Sequence, residues 1–362
     1  MIYSEVFHLP KLYINLSKVA NNAEKIQRML SKYQIELVGV TKVTLGDPLV
    51  AEALRKVGVK ILGESRIQNI ERLLKNGVSG PFMMLRIPQI SELESVVELC
   101  DYVLVSELEV VKKIEELCRV KKRRVKLVYM VDLGDLREGV WYEKAVEEIT
   151  EAEGLCDWAE LCGVGTNLGC YGGVLTNEEN MSLLLKIKNA VEEKIKKELS
   201  IVSGGNTSAL KLVEEGKLPF GVNQFRVGEA IYLGTDVTNN REIDWLEKDA
   251  FILEAEVIEV KIKPSIPVGQ VGFDAFGRRP NFVDRGWRKK AILALGEQDT
   301  VPSHLKPLQN GAIVLHASSD HTIVDVTELN HHVKVGDVMR FRLSYAALLR
   351  AMTSSHVEKV YV

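Results

Sequence analysis

Between residues 16 and 235, short β-branched runs alternate with longer amphipathic ones, and this alternation limits the possible folds more than any other feature of the chain. Strand-like runs fall at 35–41, 60–64, 82–87, 102–106, 125–132, 159–166, 199–203 and 223–226, with helical stretches such as 49–57, 107–118 and 179–198 between them. In the last stretch Leu184, Ile187, Val191 and Ile195 recur at steps of three and four, the period of one helix face. Strands separated by helices pair in parallel, and right-handed crossovers lead readily to a closed sheet. Eight such units over roughly 220 residues match a (β/α)8 TIM barrel. An open doubly wound sheet is the rival architecture.

After residue 240 the pattern changes. Segment 250–262 alternates in part with period two, and strand-like runs at 292–295, 313–316, 322–326 and 338–343 follow it, joined by Pro- and Gly-containing turns. They read as a separate, mostly antiparallel β domain. The expected division is a barrel over 12–238, with 1–11 and 239–362 forming the β domain. Hydrophobic residues make up 46% of the chain, which supports a sizeable core for both.

Charge argues against several classes of function. Lys and Arg total 47 against 50 Asp and Glu, a net charge of -3, so electrostatics gives no reason to expect nucleic acid or an anionic membrane. The run Lys121-Lys122-Arg123-Arg124 sits between a helix-like and a strand-like segment and reads as a solvated turn. No apolar stretch of membrane-spanning length occurs and the N-terminal residues lack a signal-peptide pattern, so the expectation is a cytoplasmic protein with no membrane partner. Five cysteines without paired CxxC spacing argue against a disulfide framework and a structural zinc site, and no metal is expected. Only His8 precedes His304, which removes a Ser-His-Asp triad from the first two-thirds of the chain.

What remains is chemistry at strand ends. Lys42 closes the run Ile35-Glu36-Leu37-Val38-Gly39-Val40-Thr41-Lys42, where a sheet ends and a pocket commonly begins. Desolvation there lowers a lysine pKa and frees the neutral amine for Schiff-base formation. At the ends of the seventh and eighth strands, where such barrels commonly hold phosphate, stand Ser203-Gly204-Gly205-Asn206-Thr207-Ser208 and Arg226-Val227-Gly228-Glu229. A phosphate site and a reactive lysine in one mouth point to pyridoxal phosphate.

With these residues in place, the whole chain resembles the alanine-racemase-like, fold type III pyridoxal-phosphate enzymes, and within them the ornithine racemase group of amino-acid racemases. The resemblance rests on Val38–Lys42, on Met130-Val131-Asp132-Leu133-Gly134-Asp135-Leu136-Arg137-Glu138-Gly139, on Gly165-Thr166-Asn167-Leu168, on the two turns above, and on Val271-Gly272-Phe273-Asp274-Ala275-Phe276-Gly277. It implies that Lys42 carries the cofactor and acts as acid/base on one face. Arg226 then faces the pyridine nitrogen; taken alone it reads as half of a structural salt bridge, and beside Gly228 and Lys42 as a cofactor contact. Thr207, with Ser203, Gly205, Asn206, Gly228 and Glu229, is expected to bind the phosphate. Asn167 packs against the cofactor, and Arg137 supports the substrate carboxylate or the cofactor's phenolic oxygen. Asp132 and Asp135 read as simple turn formers.

Several positions depart from the family. The second acid/base is a tyrosine in alanine racemases, and the matching region here has none. Asp274, if desolvated enough to bring its pKa toward neutrality, takes that role, with Cys170 as the runner-up. Met130 stands in place of a modified lysine, and Leu45-Gly46-Asp47 in place of a tyrosine. His356 falls near a phosphate-contacting tyrosine of relatives, and Ser318-Ser319-Asp320-His321 reads as a loop reaching a partner's pocket. These changes imply a larger amino acid than alanine, of the ornithine or lysine type, and a head-to-tail homodimer in which each β domain completes the partner's site. A pyridoxal-phosphate carrier and a decarboxylase are the alternative functions.

Overall fold

The structure, a computed structural model, describes residues 10–362, which divide into two compact units. Leu16–Glu247 form one, and Lys248–Val362 with the N-terminal residues through Asn15 form the other. Of the segment 1–11 assigned above to the β domain, residues 1–9 lie outside the described residues.

In the first unit the eight expected strands are present as parallel neighbours. Their order is Tyr102–Val105, Phe82–Met84, Ile61–Glu64, Glu36–Val40, Gln224–Val227, Ile201–Gly205, Glu160–Gly165 and Lys126–Asp132. Tyr102–Val105 pairs in turn with Lys126–Asp132, so the sheet closes on itself and the open-sheet alternative is excluded. Alternate residues point inward, and Val38, Ile61, Met83, Leu104, Val128, Met130 and Cys162 pack into a buried cluster. Met130 and Cys162 are therefore core side chains. Between the strands Glu160–Gly165 and Ile201–Gly205 the backbones approach so closely that a Cβ on Gly163 would lie 2.3 Å from the Ile201 carbonyl oxygen.

The surrounding helices carry the expected apolar stripes. Helix Glu178–Ile195 buries Met181, Leu184, Ile187 and Val191, and begins at Asn177, whose side chain accepts from the Asn180 amide in a capping box. Helix Leu16–Ser31 buries Val19, Ala23, Ile26 and Leu30 together with a polar residue, Asn22. Asn22 Nδ2 donates to the carbonyls of Ile231 (3.0 Å) and Glu247 (2.9 Å), and its Oδ1 accepts from the Glu247 amide (2.8 Å). These bonds place 239–247 with the barrel, which moves the boundary from 238/239 to 247/248. At the other end the boundary moves from 11/12 to 15/16, because Lys11–Ile14 is a strand of the second unit's sheet.

That sheet runs Leu305–Pro307, Val338–Leu343, Phe251–Pro264, Trp287–Leu293, Thr322–Asp325, Ile313–Ala317. Lys11–Ile14 pairs antiparallel with Phe251–Pro264 and parallel with Glu358–Tyr361, making the sheet antiparallel at all but one pairing. The helix Tyr345–Thr353 and the strand Glu358–Tyr361 are additions that the residue pattern did not announce.

Candidate active site

The strand Glu36–Val40 stops two residues before Lys42, which begins a tight turn Lys42–Thr44 rather than closing the strand. Leu45 and Gly46 then take left-handed conformations, and a Cβ on Gly46 would meet the Asn69 carbonyl oxygen at 2.8 Å. The turn is anchored by Glu64, the fully buried last residue of the neighbouring strand. Its carboxyl accepts from Thr41 Oγ1 (2.7 Å), Asn69 Nδ2 (2.9 Å) and the Ser65 amide (3.2 Å). Burial pushes the Glu64 pKa up against those bonds and the nearby Lys42 charge. On the other side, Tyr232 donates its hydroxyl to the Val40 carbonyl at 2.9 Å. Lys42 is half-buried, and desolvation draws its pKa below the ordinary lysine value; Arg137 adds to this, while Cys170, Glu138 and Glu64 oppose it.

Arg226 lies in the last barrel strand, 5% exposed. It donates Nη1 to the Ser203 carbonyl (3.1 Å) and hydroxyl, and Nη2 to the Thr166 carbonyl (2.6 Å). No carboxylate pairs with it among the described residues, and burial lowers its pKa to about 10. A structural salt bridge is thereby excluded as its role. Ser203 Oγ donates to Gln224 Oε1 (2.9 Å) and accepts from Arg226, so it orients the guanidinium and is not available to a phosphate. This corrects its assignment above. Beside this group Thr166 Oγ1 and Asn167 Nδ2 are buried without a hydrogen-bond partner.

At the ends of the seventh and eighth strands, Asn206 Oδ1 accepts from the Ser208 amide (2.9 Å) and starts the turn Thr207–Ala209 after strand Ile201–Gly205. Thr207 Oγ1 accepts from the Ala230 amide (3.2 Å), joining that turn to the one at Gly228. The Glu229 carboxyl is engaged by its own unit: it accepts from Thr235 Oγ1 (2.6 Å) and the Val237 amide (3.0 Å), and burial pushes it up to about 7. Only its backbone amide remains for the role assigned above.

Two loops complete this end of the barrel. Asp132 behaves as a turn former, accepting from the amides of Gly134 (2.8 Å) and Leu136 (3.2 Å). Asp135 does not: its carboxylate accepts four amides of a distant loop, at Gly169, Cys170, Tyr171 and Val174. Arg137 is ion-paired with its neighbour Glu138. Cys170 is exposed, its Sγ 4.0 Å from Asn206 Nδ2, and it lies within electrostatic range of Lys42, Arg137 and Arg226. Lys42, Arg137, Asn167, Asn206, Thr207, Arg226 and Cys170 thus all belong to one end of the barrel unit.

Asp274 belongs to the other unit, and its environment is the opposite of the one required above. Its carboxylate accepts from the amides of Phe276 (2.9 Å) and Arg278 (2.8 Å) and from Arg278 Nε (2.8 Å), with His316 Nε2 at 3.4 Å. Desolvation opposes ionisation, but these bonds overcome it and hold the pKa below the usual aspartate value. In the same unit Ser318 and His321 close a turn (amide to carbonyl, 2.8 Å), and Asp320 and His356 line one open cleft. Glu64 and Asp135 were both missed as site residues. For Glu64 the available signal was a carboxylate ending the apolar run Ile61-Leu62-Gly63.

Residues 14–236 match the family model described as the N-terminal domain of alanine racemase. The lysine racemase of Thermotoga maritima is 57% identical to this chain over 352 residues, covering 97% of this chain and 98% of that protein. The ornithine racemase of Acetoanaerobium sticklandii is 38% identical over 354 residues, covering 97% and 99%. Among solved structures, the alanine racemase of Bartonella henselae with covalently bound pyridoxal phosphate superposes with a TM-score of 0.72 at 18% identity, covering 98% and 99%, a likeness of fold.

Proposed function

We infer function from one premise: this chain belongs to the alanine racemase family. It is an amino-acid racemase, an isomerase, with relatives of that activity matching it across both units. The finer reading proposed here is a pyridoxal-phosphate-dependent racemase of lysine- or ornithine-type diamino acids. The observation that carries the cofactor assignment is Arg226, a buried guanidinium whose partners are all neutral. Such a charge is costly unless a further acceptor meets it, and a pyridine nitrogen is one. The unpartnered Thr166 hydroxyl and Asn167 amide beside it fit a polar ring for the same reason. The diamino substrate rests on the two relatives' own activities.

When bound, pyridoxal phosphate supplies a carbonyl carbon for an amine and a conjugated ring that accepts the electron pair left by a departing α-proton. Lys42 holds the cofactor and, as an amine of lowered pKa, takes or returns the α-proton on one face. Arg226 remains protonated at neutral pH even at about 10, so it donates a hydrogen bond to the ring nitrogen without surrendering a proton. That keeps the ring a modest electron sink and disfavours transamination. Thr207, Asn206 and the backbone of Gly205, Gly228 and Glu229 hold the phosphate, Asn167 contacts the ring, and Arg137 orients a carboxylate. For the opposite face Cys170 is favoured over Asp274, since it lies within electrostatic range of Lys42 whereas Asp274 is engaged by Arg278. Arg226 also speaks against a decarboxylase, in which an acidic group faces the ring nitrogen.

The test is α-deuterium exchange with chiral separation over a panel of L-amino acids. Lysine or ornithine is expected to exceed alanine by at least about tenfold in kcat/KM, the scale on which a pocket separates side chains of different size and charge. Alanine as the best substrate would overturn the diamino reading.

The homodimer is proposed from the segment between Phe251–Pro264 and Trp287–Leu293, where Val268, Val271, Phe273, Phe276, Phe282 and Val283 are all exposed. A run of this kind is uncommon on a monomer's surface and fits a second copy of the chain. Phe273→Asp with Phe276→Asp is expected to give a monomer in sedimentation with racemisation reduced at least about tenfold. A fully active monomer would refute it.

A further inference from the structure

We propose that Asp135 is a positioning residue, whose buried carboxylate shapes residues 169–174 into the wall of the Lys42 mouth and fixes Cys170 there. This rests on the racemase reading of that mouth.

Asp135 is 1% exposed and has no cation within ion-pair distance among the described residues. Its Oδ1 accepts from the amides of Gly169 (3.1 Å) and Val174 (3.1 Å), and its Oδ2 from those of Cys170 (3.2 Å) and Tyr171 (2.9 Å). Its own carbonyl accepts from the Gly172 amide at 2.9 Å. Five amides of one six-residue stretch therefore converge on a single residue more than thirty positions away. Burial alone would raise the aspartate pKa, but the amides overcome it and keep the group ionised.

The stretch has no strand or helix of its own, so these amides have no ladder to join. Close packing fixes its path further. A Cβ on Gly172 would lie 2.9 Å from the Asp135 carbonyl oxygen, and one on Gly169, already left-handed, 2.6 Å from Thr238 Cγ2. Outward from Asp135, the stretch meets the phosphate-end turn. Asn206 Nδ2 donates to the Leu168 carbonyl (2.7 Å), stands 3.4 Å from Asn167 Oδ1, and reaches Cys170 Sγ at 4.0 Å. The segment 132–139 thus places Arg137 and Glu138 by its own turn and Cys170 through Asp135. One carboxylate makes the two loops a single piece.

Asp135→Asn is a sharp perturbation. Whichever way the amide sits, its NH2 faces two backbone N–H donors, and the charge is lost. Amide hydrogen exchange at 169–174 in the cofactor-free protein is expected to speed up about tenfold or more, without change elsewhere in the barrel. In the loaded enzyme kcat is expected to fall about 10- to 100-fold, with substrate KM and melting temperature nearly unchanged, as for a small displacement of a reacting group. Gly172→Ala, which keeps the charge but pushes the loop off Asp135, is expected to act in the same direction and serves if the first variant does not fold. Unchanged loop exchange overturns the clamp. Faster exchange with kcat per folded molecule unchanged reduces Asp135 to a loop stabiliser and also overturns the proposal.

If the wild type racemises no amino acid, the racemase reading fails while the clamp stays testable. Labelling of Cys170 by a disulfide reagent is then read with and without pyridoxal phosphate, Cys170→Ser identifying its phase. Protection in the wild type that is lost in Asp135→Asn supports the proposal, and equal protection in both overturns it.

Discussion

Lys42→Ala is expected to reduce α-proton exchange on every substrate by more than about 10⁴-fold, in a protein that still folds. No other amine stands at the end of that strand to replace it. Folding should survive because the turn is held by its neighbours: Thr41 and Glu64, Thr44 and the Thr41 carbonyl, Asp47 and the Val50 amide. Linkage fixes the sign of the pH effect. Lys42 has a folded pKa below its unfolded value, so the folded state is penalised most below the folded pKa, and the penalty disappears as pH rises to the ordinary lysine value of 10.5. Removing Lys42 should therefore leave stability equal or higher at neutral pH, with the difference from wild type vanishing in alkali. Melting curves across pH and exchange rates on the same samples check both. Retained exchange in the variant would remove Lys42 from the chemistry.

Arg226→Gln is expected to lower racemisation about 100-fold or more while changing stability by no more than about 2 kcal/mol in either direction. Two opposing effects set the second figure. Removing the side chain weakens hydrogen bonds to the carbonyls of Ser203 and Thr166, at about 1–3 kcal/mol for each acceptor left unmet. It also relieves the burial of a guanidinium with no carboxylate beside it, a cost of several kcal/mol. Glutamine retains one donor for one carbonyl, so the two nearly cancel. A purely architectural arginine would give the reverse result, with a large drop in melting temperature and unaltered kcat. Thermal melts alongside steady-state kinetics separate the two.

The barrel was legible because buried parallel strands and amphipathic helices leave opposite periodicities, and all eight strands lie where their β-branched runs stand. Lys42 and the two glycine turns drew attention for a related reason, since each stands at the end of such a run, whereas Arg226 lies within the last one. Long-range polar bonding left no comparable trace. Asp135 looks like any aspartate in a turn, because its partners lie 34–39 positions away in a stretch with no periodicity. Glu64 left only a faint trace, a carboxylate at the end of an apolar run, while its partners Thr41 and Asn69 come from other elements. Ser203 was misassigned because its hydroxyl is claimed by two side chains of another strand, Gln224 and Arg226. Asp274 is instructive in a different way. Its partner Arg278 stands only four positions along the chain, so the pairing that keeps this carboxylate ionised is local and was open to inspection in the sequence. The helix Tyr345–Thr353 and strand Glu358–Tyr361 escaped because the first is short and the second makes sense only beside residues 11–14.

That last pairing bears on how the chain matures. Lys11–Ile14 leaves the ribosome before any barrel strand, yet both of its neighbours, Phe251–Pro264 and Glu358–Tyr361, are translated after the barrel is complete. Until Phe251–Pro264 emerges it is a strand with two open edges, the kind of segment that recruits strangers. The barrel can close from contiguous sequence as it emerges, whereas the second sheet must wait for the final residues to flank its first strand. A ribosome stalled shortly before residue 358 would hold a finished barrel and a sheet still open along one side.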